Sequence, residues 1–547
     1  MKKTFTAVLM LIVVNTFSQD SLNISDVAAA ERIIGLKLKP SERDSLFGNL
    51  KNYSTEYNKM RTFPLDNNMP LSTWQSPLLP GMKFSAKQLP VVWDIPANVV
   101  VPRNQNELAF YSIQQLASLI KNKKITSVAL TQFFINRIKK YGDTLQCVIS
   151  ITEDIALKQA KQADKEIAAG KYRGPLHGIP YGLKDLFAVK GTKTTWGAEP
   201  YKNQTIDEDA FVYTKLKEAG AVLIAKFTLG ALAMGDYWYG GRTKNPWNLK
   251  RGSSGSSAGS TAATVAGLVP FAIGTETWGS IISPSTNCGA TGLRPTFGSI
   301  SRSGAMALSY SLDKVGPICR SAADAAVVFN YIHGTDGKDQ AAVNMPFNYT
   351  GKVDFSKLKI AYAKNYFGTA DTLGNEQKVL EVYRKLGAQL IAVDFPDSTV
   401  YNFSIMSIII GAECAAQFDD FTRGELDDMM TRQGKNDWPN QFRSARFIPA
   451  VEYINAYRHR YLLMQKVNET IKKYDAFICP TYGGNQVAIT NLTGHPALCF
   501  PTGFNKNKLP TNITLVGNLY SEATLLAVAK AFQDATEFDE QHPAFFK

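Results

Sequence analysis

Two glycine-rich turns hold the residues of this chain best suited to chemistry: Gly252-Ser-Ser-Gly-Ser-Ser-Ala-Gly-Ser260 and Gly274-Thr-Glu-Thr-Trp-Gly-Ser280. Both present serines, and a serine hydroxyl becomes a useful nucleophile only when a neighbouring base removes its proton. No histidine stands near either turn in sequence. A lysine can serve if it is neutral, which requires its pKa to fall from about 10.4 to near 7, a cost of about 4 kcal/mol that desolvation can supply. Lys184 sits in an apolar run with Ile179, Tyr181, Leu183, Leu186 and Phe187 around it. The competing reading is a lysine that snorkels to the surface or pairs with the adjacent Asp185.

Other readings of the turns are weaker. A Walker A loop needs Gly-Lys-Ser/Thr, which neither turn contains. Gly255-x-Ser257-x-Gly259 matches the nucleophile-elbow string of esterases, but residues 245–251 do not read as the buried strand that must precede it. Ser-x-x-Lys occurs at Ser118/Lys121, Ser311/Lys314 and Ser356/Lys359 without an accompanying Lys-Thr-Gly. A purely structural glycine-serine turn competes for each serine taken singly.

The elements around the turns alternate strand and helix. Ser112 and Ser127 read as N-caps, and Leu130, Phe134, Ile138 and Tyr141 recur at helical spacing. Strands are expected over Val148–Thr152, Ala221–Ala225, Val269–Ile273, Ile360–Ala363 and Ala476–Cys479. Helices are expected over Thr261–Leu268 and, closing the chain, Ser521–Phe532. This alternation predicts an α/β fold, a large mixed β-sheet covered by helices on both faces. Residues 400 to 470 read as helix-rich, broken at Trp438-Pro439.

The chain has 547 residues, 45% of them apolar and 20% charged, which excludes a coiled coil, a collagen-like rod and a disordered chain. Its net charge of +13 is spread along the length, which reads as solubility rather than a nucleic-acid footprint. Six scattered cysteines show no scaffold spacing and no Cys-x-x-Cys. Together with only five histidines, they argue against a metal site, and no cofactor is called for. Lys2 and Lys3, the apolar Ala7–Val14 and the small residues Thr16 and Ser18 read as a secretory signal peptide over residues 1–18, cleaved before Gln19. Periplasmic or secreted placement follows. The strongest later apolar run, Ile405–Ile410, is too short for a membrane span. Prolines at 64, 70, 77, 80, 90, 96 and 102 make residues 19–105 an N-terminal extension with one short helix near Ala28–Ile34, ahead of a domain over 106–545.

Taken together, Gly178-Ile-Pro-Tyr-Gly-Leu-Lys-Asp185, Ser256-Ser-Ala-Gly-Ser260, Gly274-Thr-Glu-Thr-Trp-Gly-Ser-Ile281 and Asn491-Leu-Thr-Gly-His-Pro-Ala497 resemble the amidase signature family in order and spacing, over roughly residues 106 to 545. The resemblance implies an amidase without metal or cofactor, acting on a small-molecule or peptide amide. Its nucleophile would be Ser280, its bridging serine Ser256, preceded by a cis peptide bond, and its base Lys184. The turn before Ser280 can aim the backbone N–H groups of Thr277, Trp278 and Gly279 at a developing oxyanion. Three positions depart from the family pattern. Trp278 replaces a glycine, and its indole either walls the acyl pocket or enters the core. Ile282 replaces an arginine, which leaves the support of the acid at 276 open, and that acid is Glu276 rather than Asp. His495 reads as a turn or core histidine.

The resemblance leaves other functions in competition. One is the glutaminase (A) subunit of a tRNA-dependent amidotransferase, against which export argues. A second is a non-catalytic binding protein on the same fold, and a third an exported esterase using Ser257. The substrate and the oligomeric state are not legible.

Overall fold

Apolar runs of four to eight residues become the strands of one large sheet. In chain order these are β1 (Val148–Ile151), β2 (Pro180–Lys184), β3 (Val222–Phe227), β4 (Ala272–Glu276), β5 (Thr291–Arg294), β6 (Lys314–Cys319), β7 (Ile360–Ala363), β8 (Leu390–Val393), β9 (Ala476–Pro480), β10 (Ala497–Phe504) and β11 (Pro510–Val516). They lie side by side as β1-β3-β2-β4-β6-β5-β10-β11-β9-β7-β8. The sheet is mixed: β3, β2 and β4 run parallel, as do β9, β7 and β8, while the strands from β4 through β6, β5, β10 and β11 to β9 pair antiparallel.

The computed structural model describes residues 22–62, 65–67, 69, 72–73, 75–367, 375–397 and 403–547. The expected signal peptide at 1–18 lies outside these residues. Every residue of β2, β3, β6, β9 and β11 is buried. Successive strand residues face opposite ways, so full burial means that both faces of the sheet are covered, as predicted. The closing helix Glu522–Thr536 packs beside Ala322–Ile332 over this sheet.

The chain divides into two units, Met1–Asp66 and Asn67–Lys547. The first contains the helix Ile24–Ile34, capped by the Asn23 side chain, and a second helix, Pro40–Arg61, absent from the sequence reading. Pro40 stands in the first turn, where a missing N–H costs nothing, but the helix buries no residue and so carries no apolar stripe to betray it. The Arg43 guanidinium pairs with Glu31 across the two helices. Within the second unit, residues 75–104 run without regular structure along the body. The Trp93 and Tyr349 rings stack at 5.8 Å, Gln88 Nε2 donates to the Phe347 carbonyl at 2.9 Å, and Lys124 Nζ donates to the Val99 carbonyl at 2.7 Å.

Some boundaries differ from expectation. Thr126, not Ser127, caps its helix, accepting from the Ala129 amide, because the Asp164 carboxylate takes the Ser127 and Val128 amides at 2.6 and 3.0 Å. Ser127 Oγ instead donates to the Gly178 carbonyl at 2.9 Å. Trp438 and Pro439 start the helix Trp438–Ala445 rather than break one, again with proline in the first turn. The six cysteines are buried and unpaired. Among the described residues no helix is long and apolar enough to cross a membrane.

Candidate active site

β2 delivers Lys184 to the centre of the molecule with no exposed surface. Its side chain and that of Asp185 leave the backbone on opposite sides, so the two do not pair. Asp185 belongs to the other face: its carboxylate meets Lys226 Nζ at 2.9 Å and accepts from the Thr195 amide and hydroxyl at 2.8 and 2.6 Å. Lys184 Nζ meets only uncharged oxygens, at 2.8 Å from Ser256 Oγ, 2.8 Å from Thr275 Oγ1, 3.2 Å from Ser257 Oγ and 3.4 Å from the Thr275 carbonyl. Burial lowers its pKa to about 7, against the opposing pull of the Asp313 and Glu276 carboxyls.

The first glycine-rich turn brings Ser256 to that amine. The Gly255–Ser256 peptide bond is cis, and a Cβ on Gly255 would lie 1.8 Å from the Gly235 carbonyl oxygen, so only glycine fits there. The helix after it runs from Ala258 to Val265, three residues earlier than expected, and the next strand, β4, starts at Ala272, three residues later. The helix begins at once because the Gly259 amide, donating to the Thr228 carbonyl at 2.9 Å, holds the backbone against the loop at Thr228. A Cβ at Gly259 would meet the Cys147 carbonyl at 2.4 Å.

β4 leads into the second turn. The Ser257 amide donates to the Ser280 carbonyl at 3.1 Å, which ties the two turns together. Gly279 bends the chain with a φ of +90°, a conformation that glycine adopts without strain. Ser280 retains 9% of its surface, whereas Ser256 retains 1%, so Ser280 is the serine that faces outward. Trp278 is 37% exposed, so its indole is not sealed in the core.

Glu276 anchors this turn from beneath. Its carboxylate accepts the Ile281 and Ile282 amides at 2.8 and 2.9 Å, Asn491 Nδ2 at 2.8 Å and an Arg294 guanidinium nitrogen at 3.0 Å. Burial pushes this carboxyl up, but Arg294 and the three other donors pull it below its ordinary value. The support that Ile282 does not give therefore comes from Arg294 on β5. Thr277 is held from the side, its hydroxyl donating to Asp313 at 2.6 Å, while the other oxygen of Asp313 accepts the Leu308 and Ser309 amides at 2.8 and 2.9 Å.

Sequence reasoning missed Thr275, Arg294 and Asp313. Thr275 had a signal, since alternation places it on the same face as Thr277. Arg294 and Asp313 had none, because strand pairing and a loop bring them in from outside the motifs. The other named residues are placed as follows. His495 is buried, with Nδ1 at 2.8 Å from Thr493 Oγ1 and a pKa pushed down to about 3 by burial and Arg294. Ser257 Oγ donates to the Thr275 carbonyl at 3.1 Å and accepts the Thr275 amide at 3.2 Å, which commits its proton. Residues 248–252 form a strand, but it is largely exposed and belongs to a small hairpin outside the main sheet, so the esterase arrangement is not met. Among the described residues no cluster suited to a metal ion occurs.

The Amidase family model matches residues 129–489. The chain belongs to the amidase signature family. It is 35% identical over 485 residues to the glutamyl-tRNA(Gln) amidotransferase (A) subunit of Coxiella burnetii, covering 79% of this chain and 99% of that one. The peptide amidase of Stenotrophomonas maltophilia superposes with a TM-score of 0.71 at 27% identity, covering 81% of this chain and all of its own. A bacterial aryl acylamidase shares the fold, with a TM-score of 0.70 at 22% identity over 79% of this chain and 98% of that one. As an amidase signature protein this chain is an amide-hydrolysing enzyme.

Proposed function

We propose that this enzyme hydrolyses a carboxamide through an acyl intermediate on Ser280, with Ser256 and Lys184 carrying the proton. The observation that carries the reading is the fully buried Lys184 amine, 2.8 Å from Ser256 Oγ, with no carboxylate among its contacts. A neutral amine has two N–H donors and one lone pair. Thr275 Oγ1 takes one donor, and Ser257 Oγ, whose own proton is committed to the Thr275 carbonyl, takes the other. The lone pair is left for Ser256. Ser256 gives its proton to Lys184 and takes the one on Ser280 Oγ, which attacks the amide carbon. The N–H groups of Thr277, Trp278 and Gly279 receive the oxyanion. Collapse of the tetrahedral adduct breaks the C–N bond, the leaving nitrogen takes the proton back through Ser256, and water, deprotonated by the same relay, releases the acid.

A second reading, the glutaminase component of a tRNA-dependent amidotransferase, is favoured by the 35% identity over nearly the whole length of such a protein. It uses the same chemistry with glutamine as substrate and with partner subunits. The purified chain decides between them by ammonia release from glutamine and from a panel of peptide, aryl and aliphatic amides. Labelling with a fluorophosphonate and mapping of the peptide tests the chemistry itself: modification at Ser280 supports it, and no modification overturns the acyl-serine route. We read residues 1–18 as an export signal, which is incompatible with a cytoplasmic tRNA-dependent assembly. N-terminal sequencing of the protein recovered from the periplasm or medium tests this, with Gln19 as the expected first residue.

A further inference from the structure

We propose that the cavity beside Thr275 and Thr277 seats an apolar group carried next to the scissile amide, so that the enzyme prefers amides bearing an aliphatic or aromatic substituent over glutamine and other charged amides. The inference rests on the hydrolase reading above and names its substrate class. The cavity has a volume of about 250 Å³. An apolar cavity of about 150 Å³ is enough to hold benzene, so a ring or a short alkyl chain fits. It abuts the reacting groups: Thr275 is the hydrogen-bond partner of Lys184, Thr277 opens the turn before Ser280, and Leu186 follows Lys184 by two residues.

The cavity wall is apolar in effect although charged residues contribute to it. Leu186, Met306, Leu308 and Val315 supply hydrocarbon, and all four are buried. The charged side chains are matched within the protein. Arg302 forms a two-pronged pair with Asp339 at 2.7 and 2.8 Å and donates to the Tyr310 carbonyl at 2.6 Å. Asp313 is engaged by Thr277 and by the two amides of Leu308 and Ser309. Glu208 and Lys338 stand 3.9 Å apart. Lys314, also in the cavity wall, donates from Nζ to the Leu312 carbonyl. The ammonium and carboxylate of glutamine would lose water here without gaining an unmatched counter-charge. A methylene seated in an apolar pocket is worth roughly tenfold or more in kcat/KM.

The test compares kcat/KM for acetamide, hexanamide, 3-phenylpropionamide, acetanilide and glutamine on the full-length purified enzyme, following ammonia or aniline. The expected result is a value roughly 100-fold above acetamide for the two longer acyl amides or for acetanilide, with glutamine at or below acetamide. Which of the two classes gains tells whether the acyl half or the amine half occupies the cavity. Val315→Phe should lower the ratio of kcat/KM for the favoured amides to that for acetamide, and Met306→Ala should move the optimum to a longer chain; the second variant stands alone if the first does not fold. Glutamine matching or exceeding the apolar amides, or no turnover of any apolar amide, overturns the proposal. Fluorophosphonate labelling at Ser280 in the same preparation separates the two failures: labelling with no apolar preference sinks the pocket alone, and no labelling sinks the hydrolase reading beneath it.

Discussion

Two lysines lie wholly buried on neighbouring strands, and their surroundings could hardly differ more. Lys226 on β3 is given a carboxylate at 2.9 Å, a backbone carbonyl at 3.1 Å and a hydroxyl at 3.1 Å. Lys184 on β2 is given hydroxyls and a carbonyl, and its pKa falls to about 7. Parallel pairing in the register Leu183 to Lys226 and Lys184 to Phe227 sends the two side chains to opposite faces of the sheet. Equal depth therefore yields one ion pair that binds the fold together and one amine with no carboxylate among its contacts, whose lowered pKa suits a base. Partner chemistry, not burial alone, separates the structural lysine from the candidate catalytic one.

The contrast breaks first if the roles are interchangeable. Lys184→Met and Ser280→Ala should each lower kcat by about 10⁴-fold, as losses from a unit that works together do, with little change in the thermal midpoint. Steady-state rates on the best amide check this. Lys226→Met should do the opposite, leaving Asp185 buried without its partner and costing about 3–5 kcal/mol of stability, read by urea unfolding. If Lys226→Met instead folds normally and loses activity, the division of labour is wrong.

Two smaller effects sharpen it. Thr275→Val removes the hydroxyl that takes one N–H of Lys184, and kcat should fall about tenfold at unchanged KM, with Thr275→Ser restoring it. The pH profile gives the last measure. The base works only when neutral, so kcat/KM should rise with pH through about 7 and then level off. The Asp313 carboxyl favours the protonated amine, so Asp313→Asn should move that rise to lower pH by less than about one unit, while moving nothing if Lys184 is not the base.

The candidate site was unusually legible because its residues are dictated by backbone contact. Gly255 and Gly259 stand where any Cβ would collide with a carbonyl, so the close packing writes itself into composition. Lys184 stood out as the charge inside an apolar run. The sheet was legible wherever strands are buried on both faces, as at Val222–Phe227 and Ala476–Pro480. The helix Pro40–Arg61 was not, since a helix polar all round leaves no periodicity to read. Nor were Arg294 and Asp313, whose roles depend on which strand or loop arrives beside Glu276 and Thr277, a property of topology rather than of local spacing. Ser127 misled for a physical reason: Thr126 beside it is an equally good cap, and Asp164 from another helix decided between them.

The six sealed cysteines equip the molecule with its own stopwatch. Burial pushes each thiol well above its ordinary pKa, so in the native state none offers a thiolate to a reagent. Alkylation can proceed only when a segment opens, and the pace at which Cys147, Cys288, Cys319, Cys414, Cys479 and Cys499 are captured reports how often each part of the sheet and its neighbouring helices comes apart.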